Sequence, residues 1–192
     1  MSTKFLNCVV VLEHIHIYEV DHPATQAYKI QRLAELGWQL PAQLHFIPVD
    51  LTQESLAEAL MRSSFNPRVK SFFSWLGVTY YLPRDAVFAT FHAIAGIAPA
   101  GSEVIFDYLD KDAFVREKAA KYMQTWLDAV RQAGEPLKSC YDPSMIGKNL
   151  SDQGLRLHEN LSPIDIEKRY FHGRTDHYHA LEHANFACAV VE

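Results

Sequence analysis

An α/β fold, with a mostly parallel sheet, helices on both of its faces and an antiparallel C-terminal strand, is what this sequence predicts, and three observations predict it. Short β-branched runs alternate with stretches of helical periodicity, the order that builds parallel strands joined by crossover helices. The run from Val69 to Val78 is largely apolar, the pattern of a central strand buried on both faces. Of the 192 residues 48% are hydrophobic, enough to bury a core without disulfides.

Val9 to Leu12 reads as a first strand and Ile15 to Val20 as a second, the latter alternating Ile15, Ile17 and Val20 with His16 and Glu19. A helix follows over Ala24 to Leu36, with Ala24, Ala27, Tyr28, Leu33 and Leu36 at helical spacing, Pro23 near the first turn and Gly37 at the stop. Leu44 to Val49 is the next strand and ends at Asp50. Leu56, Ala59, Leu60 and Ser63 then trace a helix closed by Asn66 and Pro67. After the Val69 to Val78 strand, Pro83 opens a helix through Val87, Phe91 and Ile94 that stops at the Pro99 to Gly101 turn. Val104 to Tyr108 is a strand, and Val115, Ala119, Tyr122, Met123, Trp126 and Val130 mark a long helix ending at Gly134. Glu135 to Tyr141 reads as a loop, Ser144 to Ser151 as a short helix stopped by Gly154, and Leu155 to Leu161 and Phe186 to Val191 as the last strands. With no repeat, low-complexity tract or linker, one domain over residues 1–192 is expected.

A formal charge of -5 offers no basic field for phosphates, which argues against a nucleic-acid binder. Cys8, Cys140 and Cys188 are odd in number, far apart and without a CxxC pair, so free thiols in a reducing cytosol are expected. The run Phe5 to Leu12 is broken by Asn7, follows a single lysine and lacks a small-residue cleavage site, so it does not read as a signal peptide. No stretch approaches the ~20 apolar residues of a membrane span. A cytoplasmic protein without a membrane partner is the expectation.

The most informative chemistry lies in Ile17-Tyr18-Glu19-Val20-Asp21-His22-Pro23, an acidic strand end feeding a helix. Ligands of α/β folds sit outside the carboxyl ends of strands, where Asp21 or Glu19 could accept hydrogen bonds from both hydroxyls of a ribose. Alternatively, Asp21 caps the next helix. A second carboxylate, Asp50 in Pro48-Val49-Asp50-Leu51-Thr52, could receive an adenine amino group while the Leu51 amide meets a ring nitrogen. As a strand-end residue it could equally be a cap.

From His16 to Leu109 the chain resembles the leucine carboxyl methyltransferase-like family of S-adenosylmethionine-dependent methyltransferases. The resemblance is carried by Tyr18-Glu19-Val20-Asp21-His22-Pro23 with Lys29, by Phe46-Ile47-Pro48-Val49-Asp50-Leu51, and by Ser74-Trp75-Leu76-Gly77-Val78-Thr79-Tyr80-Tyr81-Leu82; Gly154-Leu155-Arg156-Leu157 matches more loosely. It implies a Rossmann-like methyltransferase fold, S-adenosyl-L-methionine as cofactor, Asp21 on the ribose and Asp50 with Leu51 on the adenine. Where some family members carry a strand-end glutamate, this sequence has Leu76.

The amino end departs from the family pattern of a first strand, a Gly-x-Gly loop and a helix. Cys8 to Leu12 resembles that first strand, yet Glu13-His14-Ile15-His16 follows at once and no glycine precedes Gly37. A parallel crossover needs roughly ten or more residues, so the domain reads as truncated or internally deleted near residues 12–15. Glycines let backbone approach a ligand, and the helix start behind them donates free amides. Only Lys4 precedes the first strand to meet the cofactor carboxylate. Weakened cofactor binding is therefore expected.

The reaction implied is methyl transfer from sulfonium to a carboxylate or hydroxyl oxygen of a small molecule or protein, governed by alignment. Tyr80, Tyr81 and Tyr108, near strand ends, are candidates to line the acceptor pocket, with core packing as the alternative for each. His177, His179 and His183, with His172 and Asp176 nearby, invite a zinc reading, since His179 and His183 form an i,i+4 pair if helical. Without HExxH or a cysteine pair, a polar surface loop without metal is the preferred account. Two other functions compete: a non-catalytic remnant of the fold serving as a binding or oligomerising module, and a nicotinamide-dependent dehydrogenase, which would also need the glycine fingerprint. Loss of a packing helix would expose apolar surface, so a homodimer is a possible partner state.

Overall fold

The computed structural model describes residues 15–192, and the strand expected at Val9 to Leu12, with Lys4 and Cys8, lies outside them. The chain divides into two compact units, the first ending at Asn66 and the second spanning Pro67–Glu192.

In the first unit, strand β1 (Ile17–Asp21) leads into helix α1 (Pro23–Glu35), strand β2 (Leu44–Pro48) and helix α2 (Leu56–Met61). β1 and β2 pair in parallel, from Ile17 opposite Leu44 to Asp21 opposite Pro48. The His22 ring accepts the Ala24 N–H at 3.3 Å, and Pro23 takes the first helical position, where its missing donor costs nothing. The apolar face expected of α1 is not buried: Ala24, Ala27, Tyr28 and Leu36 are exposed, and its buried residue is Gln26. Gln26 donates from Nε2 to the Glu19 carbonyl at 2.9 Å, so polar bonds tie this helix to β1. Helix α2 follows the sequence expectation, with Ser55 capping the Ala57 N–H at 3.2 Å and Leu56, Ala59 and Leu60 buried.

The second unit contains strand β3 (Phe72–Trp75), helix α3 (Arg84–Ile97), strand β4 (Glu103–Leu109), helices α4 (Lys121–Gln132) and α5 (Ile146–Ser151), strand β5 (Leu155–Leu161), the short helix α6 (Pro163–Ile166) and strand β6 (Ala184–Val191). Its strand order is β3-β4-β6-β5. β3 runs parallel to β4, and β6 is antiparallel to both β4 and β5. The C-terminal strand is antiparallel as expected, and because it lies between β4 and β5 the sheet is mixed and not purely parallel: one reversed strand between two neighbours turns two pairings antiparallel. Nor is β3 a central strand buried on both faces. Among the described residues it stands at the end of its order, with Phe72 64% exposed.

Val87, Phe91 and Ile94 lie one helical turn apart on the buried face of α3, and Val104, Phe106 and Tyr108 of β4 are buried as well. The Phe91 ring stands edge-on to Phe106 at 4.7 Å and to Trp75 at 5.1 Å. A second cluster joins Leu109, Ala113, Ala119, Met123 and Leu137, with Trp126, Leu127 and Val130 of α4 against it. The helix expected from Val115 starts only at Lys121, because the Asp110 carboxylate caps a 3₁₀ turn over Lys111–Phe114, accepting the Asp112 and Ala113 N–H groups at 2.9 and 3.1 Å.

Gly154 turns the chain between α5 and β5 at φ +85°, and a Cβ there would sit 3.2 Å from the Ala95 Cβ. Gly154→Ala is expected to destabilise by about 1–3 kcal/mol, from backbone strain and crowding. A lowered urea midpoint with an unchanged slope would register that loss.

Candidate functional site

Parallel pairing of β1 with β2 brings the two strand-end carboxylates to one edge: the Val49 N–H donates to the Asp21 carbonyl at 2.9 Å, and Asp50 follows directly. Glu19 and Asp21 alternate with Val20 and so share a face of β1. Lys29 reaches both from α1, ion-paired to Glu19 Oε1 and 3.7 Å from Asp21 Oδ2. The hydrogen bond to Glu19, reinforced by the Glu19 and Asp21 charges, raises the Lys29 pKa above the ordinary lysine value.

The cap of α1 is the His22 ring, while Asp21 Oδ1 accepts only the adjacent His22 N–H at 2.7 Å among the bonds described. Asp50 does serve its own turn. Its Oδ1 accepts the Thr52 N–H at 2.9 Å and the Thr52 hydroxyl at 2.7 Å, while Ser55 caps the helix beyond. Glu19 Oε2 is buried and, among the described residues, has no hydrogen-bond partner. An orphaned buried acceptor beside a second carboxylate suits a group that brings hydroxyl donors, as a ribose does. These residues therefore fit the nucleoside end of the cofactor.

On the opposite face of the same strand pair, Tyr18 and His45 stack at 4.9 Å, and His16 Nδ1 lies 3.1 Å from His45 Nε2. No sequence motif marks this cluster. Its only signal was the alternation of His16 and Tyr18 with Ile17 and Glu19.

In the second unit the three candidate tyrosines differ in burial and in hydrogen bonding. Tyr108 is 1% exposed, and its hydroxyl donates to Asn160 Oδ1 at 2.9 Å. Burial, against the opposing Asn160 bond, pushes its pKa up to about 12. Tyr80 is buried in the 3₁₀ turn after β3, with Trp126 edge-on at 5.5 Å, and burial near the Asp107 charge raises its pKa. Tyr81, half-buried, lies 5.1 Å from the Tyr80 ring.

Asp107, which carries no sequence motif, accepts the Gly77 N–H at 2.8 Å. Burial raises its pKa, and the Gly77 bond opposes the rise. Gly77 holds φ +76° at this turn, a conformation suited to glycine. Leu76 is 46% exposed and offers no polar side chain at the place of the family's glutamate.

The histidine segment is not helical, so His179 and His183 are not an i,i+4 pair. His179 Nδ1 meets Glu167 at 3.0 Å, and His183 Nδ1 meets Asp110 at 3.0 Å. Among the described residues, no three His, Cys, Asp or Glu side chains are arranged to hold a metal.

Residues 9–95 match the family model described as leucine carboxyl methyltransferase. The chain is 34% identical over 176 residues to the Bacillus subtilis (strain 168) protein named "Putative S-adenosyl-L-methionine-dependent methyltransferase YktD", covering 92% of this chain and 58% of that one. A similarly named Mycobacterium tuberculosis (strain H37Rv) protein is 32% identical over 107 residues, 55% of this chain and 35% of its own length. The chain thus spans little more than half of the first relative and about a third of the second.

Among solved structures, the mitomycin 7-O-methyltransferase MmcR aligns with TM-score 0.57 and 13% identity over 92% of this chain and 42% of that one. The magnesium protoporphyrin IX methyltransferase ChlM of Synechocystis, solved with bound SAH, aligns with TM-score 0.51 and 16% identity over 92% of this chain and 64% of that one. At such identities the likeness is one of fold, the Rossmann-like methyltransferase fold.

Proposed function

We propose that this chain, a relative of the leucine carboxyl methyltransferases through residues 9–95, is an S-adenosyl-L-methionine-dependent O-methyltransferase domain of the cytosol that grips the nucleoside of its cofactor more firmly than the amino-acid end. The observation that carries this reading is the juxtaposition of Asp21 and Asp50 at one edge of β1 and β2, beside the unpartnered Glu19 Oε2. Asp21 and Glu19 accept the ribose hydroxyls, Asp50 accepts the adenine amino group, and the Leu51 amide meets a ring nitrogen. Lys29 balances the two ribose-side carboxylates. When bound, the cofactor supplies a methyl group on sulfonium, open to attack by an oxygen nucleophile.

The acceptor is a carboxylate or hydroxyl of a small molecule or protein, in keeping with the oxygen acceptor in the name of MmcR. A carboxylate acceptor needs no dedicated base. Of the pocket candidates, Tyr81 has surface to offer, whereas Tyr80 and Tyr108 would shape the pocket as buried packing. Self-association is part of the reading, since Tyr28, Leu36 and Trp38 expose more than half of their surface, at 67%, 56% and 58%.

Calorimetric titration with adenosine and with S-adenosylhomocysteine tests the asymmetry. Without a Gly-x-Gly loop between Leu12 and Glu19, the two ligands are expected to bind within about tenfold of each other, the worth of a single charged hydrogen bond. S-Adenosylhomocysteine binding a hundredfold tighter would show that the amino-acid end is held after all. Failure of both ligands to bind would remove the nucleoside site.

A further inference from the structure

His183 joins three parts of the second unit. It precedes β6, its carbonyl accepts the Asp110 N–H at 2.9 Å where β4 ends, and its Nδ1 donates to both Asp110 carboxylate oxygens at 3.0 and 3.1 Å. Its Nε2 accepts the backbone N–H of Ala120 at 3.1 Å. Ala120 is the N-cap of α4 and offers no side-chain cap of its own. His183 is also one of two non-glycine residues with positive φ among those described, at 70°. Left-handed backbone at a bulky side chain is costly and persists where surrounding bonds impose it.

We propose that His183 is a proton-sensitive latch that holds the entry of α4 onto the carboxyl end of β4 while its imidazole is neutral, and releases the Ala120 amide at the start of α4 when the imidazole is protonated. Asp110 sets the tautomer. A carboxylate accepts only, so Nδ1 carries the proton and Nε2 presents a lone pair to the Ala120 N–H. An imidazolium carries hydrogens on both nitrogens, and its Nε2–H would face the Ala120 N–H donor to donor, while the Asp110 contact becomes an ion pair. The bond to Asp110 survives and the bond to Ala120 is lost.

The charged neighbours leave this switch to the imidazole. Lys111 is paired with Asp142 and Lys118 with Asp112. The hydrogen bond from Lys111, with those from Ser144, holds the Asp142 carboxyl down to about 2, so it stays ionised in mild acid. Tyr108 and Cys140, both within electrostatic reach of Asp110, are pushed up by burial and stay neutral. Arg116, Glu117, Lys121 and Glu182 are the other charges of the adjoining segments. The latch concerns only the second unit and does not depend on the cofactor reading.

Amide hydrogen exchange of the whole chain, normalised at each pH to unstructured peptides, tests it. In the native chain, protection of the Ala120 amide is expected to fall about tenfold on acidification from neutral pH, while Val104 and Phe106 in β4 keep theirs. His183→Asn tolerates the left-handed backbone and offers a carbonyl oxygen that does not titrate, so the fall should vanish. Constant protection in the native chain, or a fall that persists in His183→Asn, overturns the proposal. Should that variant fail to fold, nitrogen chemical shifts of the native His183 ring decide at neutral pH: the Nδ1–H tautomer supports the latch, and the Nε2–H tautomer refutes it.

Discussion

Asp21→Asn should weaken adenosine and S-adenosylhomocysteine alike, by about thirtyfold or about 2 kcal/mol, the worth of hydrogen bonds to an ionised acceptor. Asparagine preserves shape and can still accept the His22 N–H that Asp21 now accepts at 2.7 Å, so the turn into α1 survives. What disappears is charge. One amide oxygen cannot serve two ribose hydroxyls as a carboxylate does, and Lys29, 3.7 Å from Asp21 Oδ2, is left with Glu19 alone. Calorimetry gives the affinities, and a urea curve on the same sample should show an unchanged midpoint. Unaltered adenosine affinity would mean that Asp21 does not touch the ribose, whatever its place beside Asp50.

The largest loss of stability is expected from Phe91→Ala, at about 3–5 kcal/mol. Phe91 is 1% exposed, and its ring is wedged between Trp75 and Phe106 at 5.1 and 4.7 Å, so alanine would leave a cavity bordered by two rigid rings. Neither ring can collapse into it without giving up its own edge-to-face contact. Since domains are stable by only ~5–15 kcal/mol, a loss of this size would halve the stability of a typical one. Urea unfolding followed by circular dichroism measures it. Phe91→Leu, which fills most of the volume, should lose clearly less, and equal losses for both variants would argue against a cavity as the cause.

The legible parts of the fold were those written in local period. Val87, Phe91 and Ile94 recur at helical spacing and are the buried face of α3, and Ser55 before Leu56, Ala59 and Leu60 marked α2 with its cap. The same local pattern misled at α1, where Tyr28 and Leu36 are helical in spacing yet exposed, and Gln26 is the buried contact. Periodicity specifies a face, but which face is covered depends on what lies opposite. In the candidate site, Asp21 and Asp50 were legible because each ends a strand. The orphaned oxygen of Glu19, the Lys29 bridge and the Asp107 bond to Gly77 were not, because each requires two separate elements to meet.

By itself, then, the sequence determined the alternation of strands and helices, the acidic tips of β1 and β2, and the antiparallel last strand that follows from a chain returning alongside β4. Tertiary structure alone decided that α4 begins at Lys121 and not Val115, that Tyr108 spends its hydroxyl on Asn160, and that His183 belongs with Asp110 and Ala120 and not with its neighbouring histidines. The reason is physical. Period and composition act within a few residues, whereas a hydrogen bond across 52 or 63 positions exists only after the chain has folded and taken its donor and acceptor out of water together.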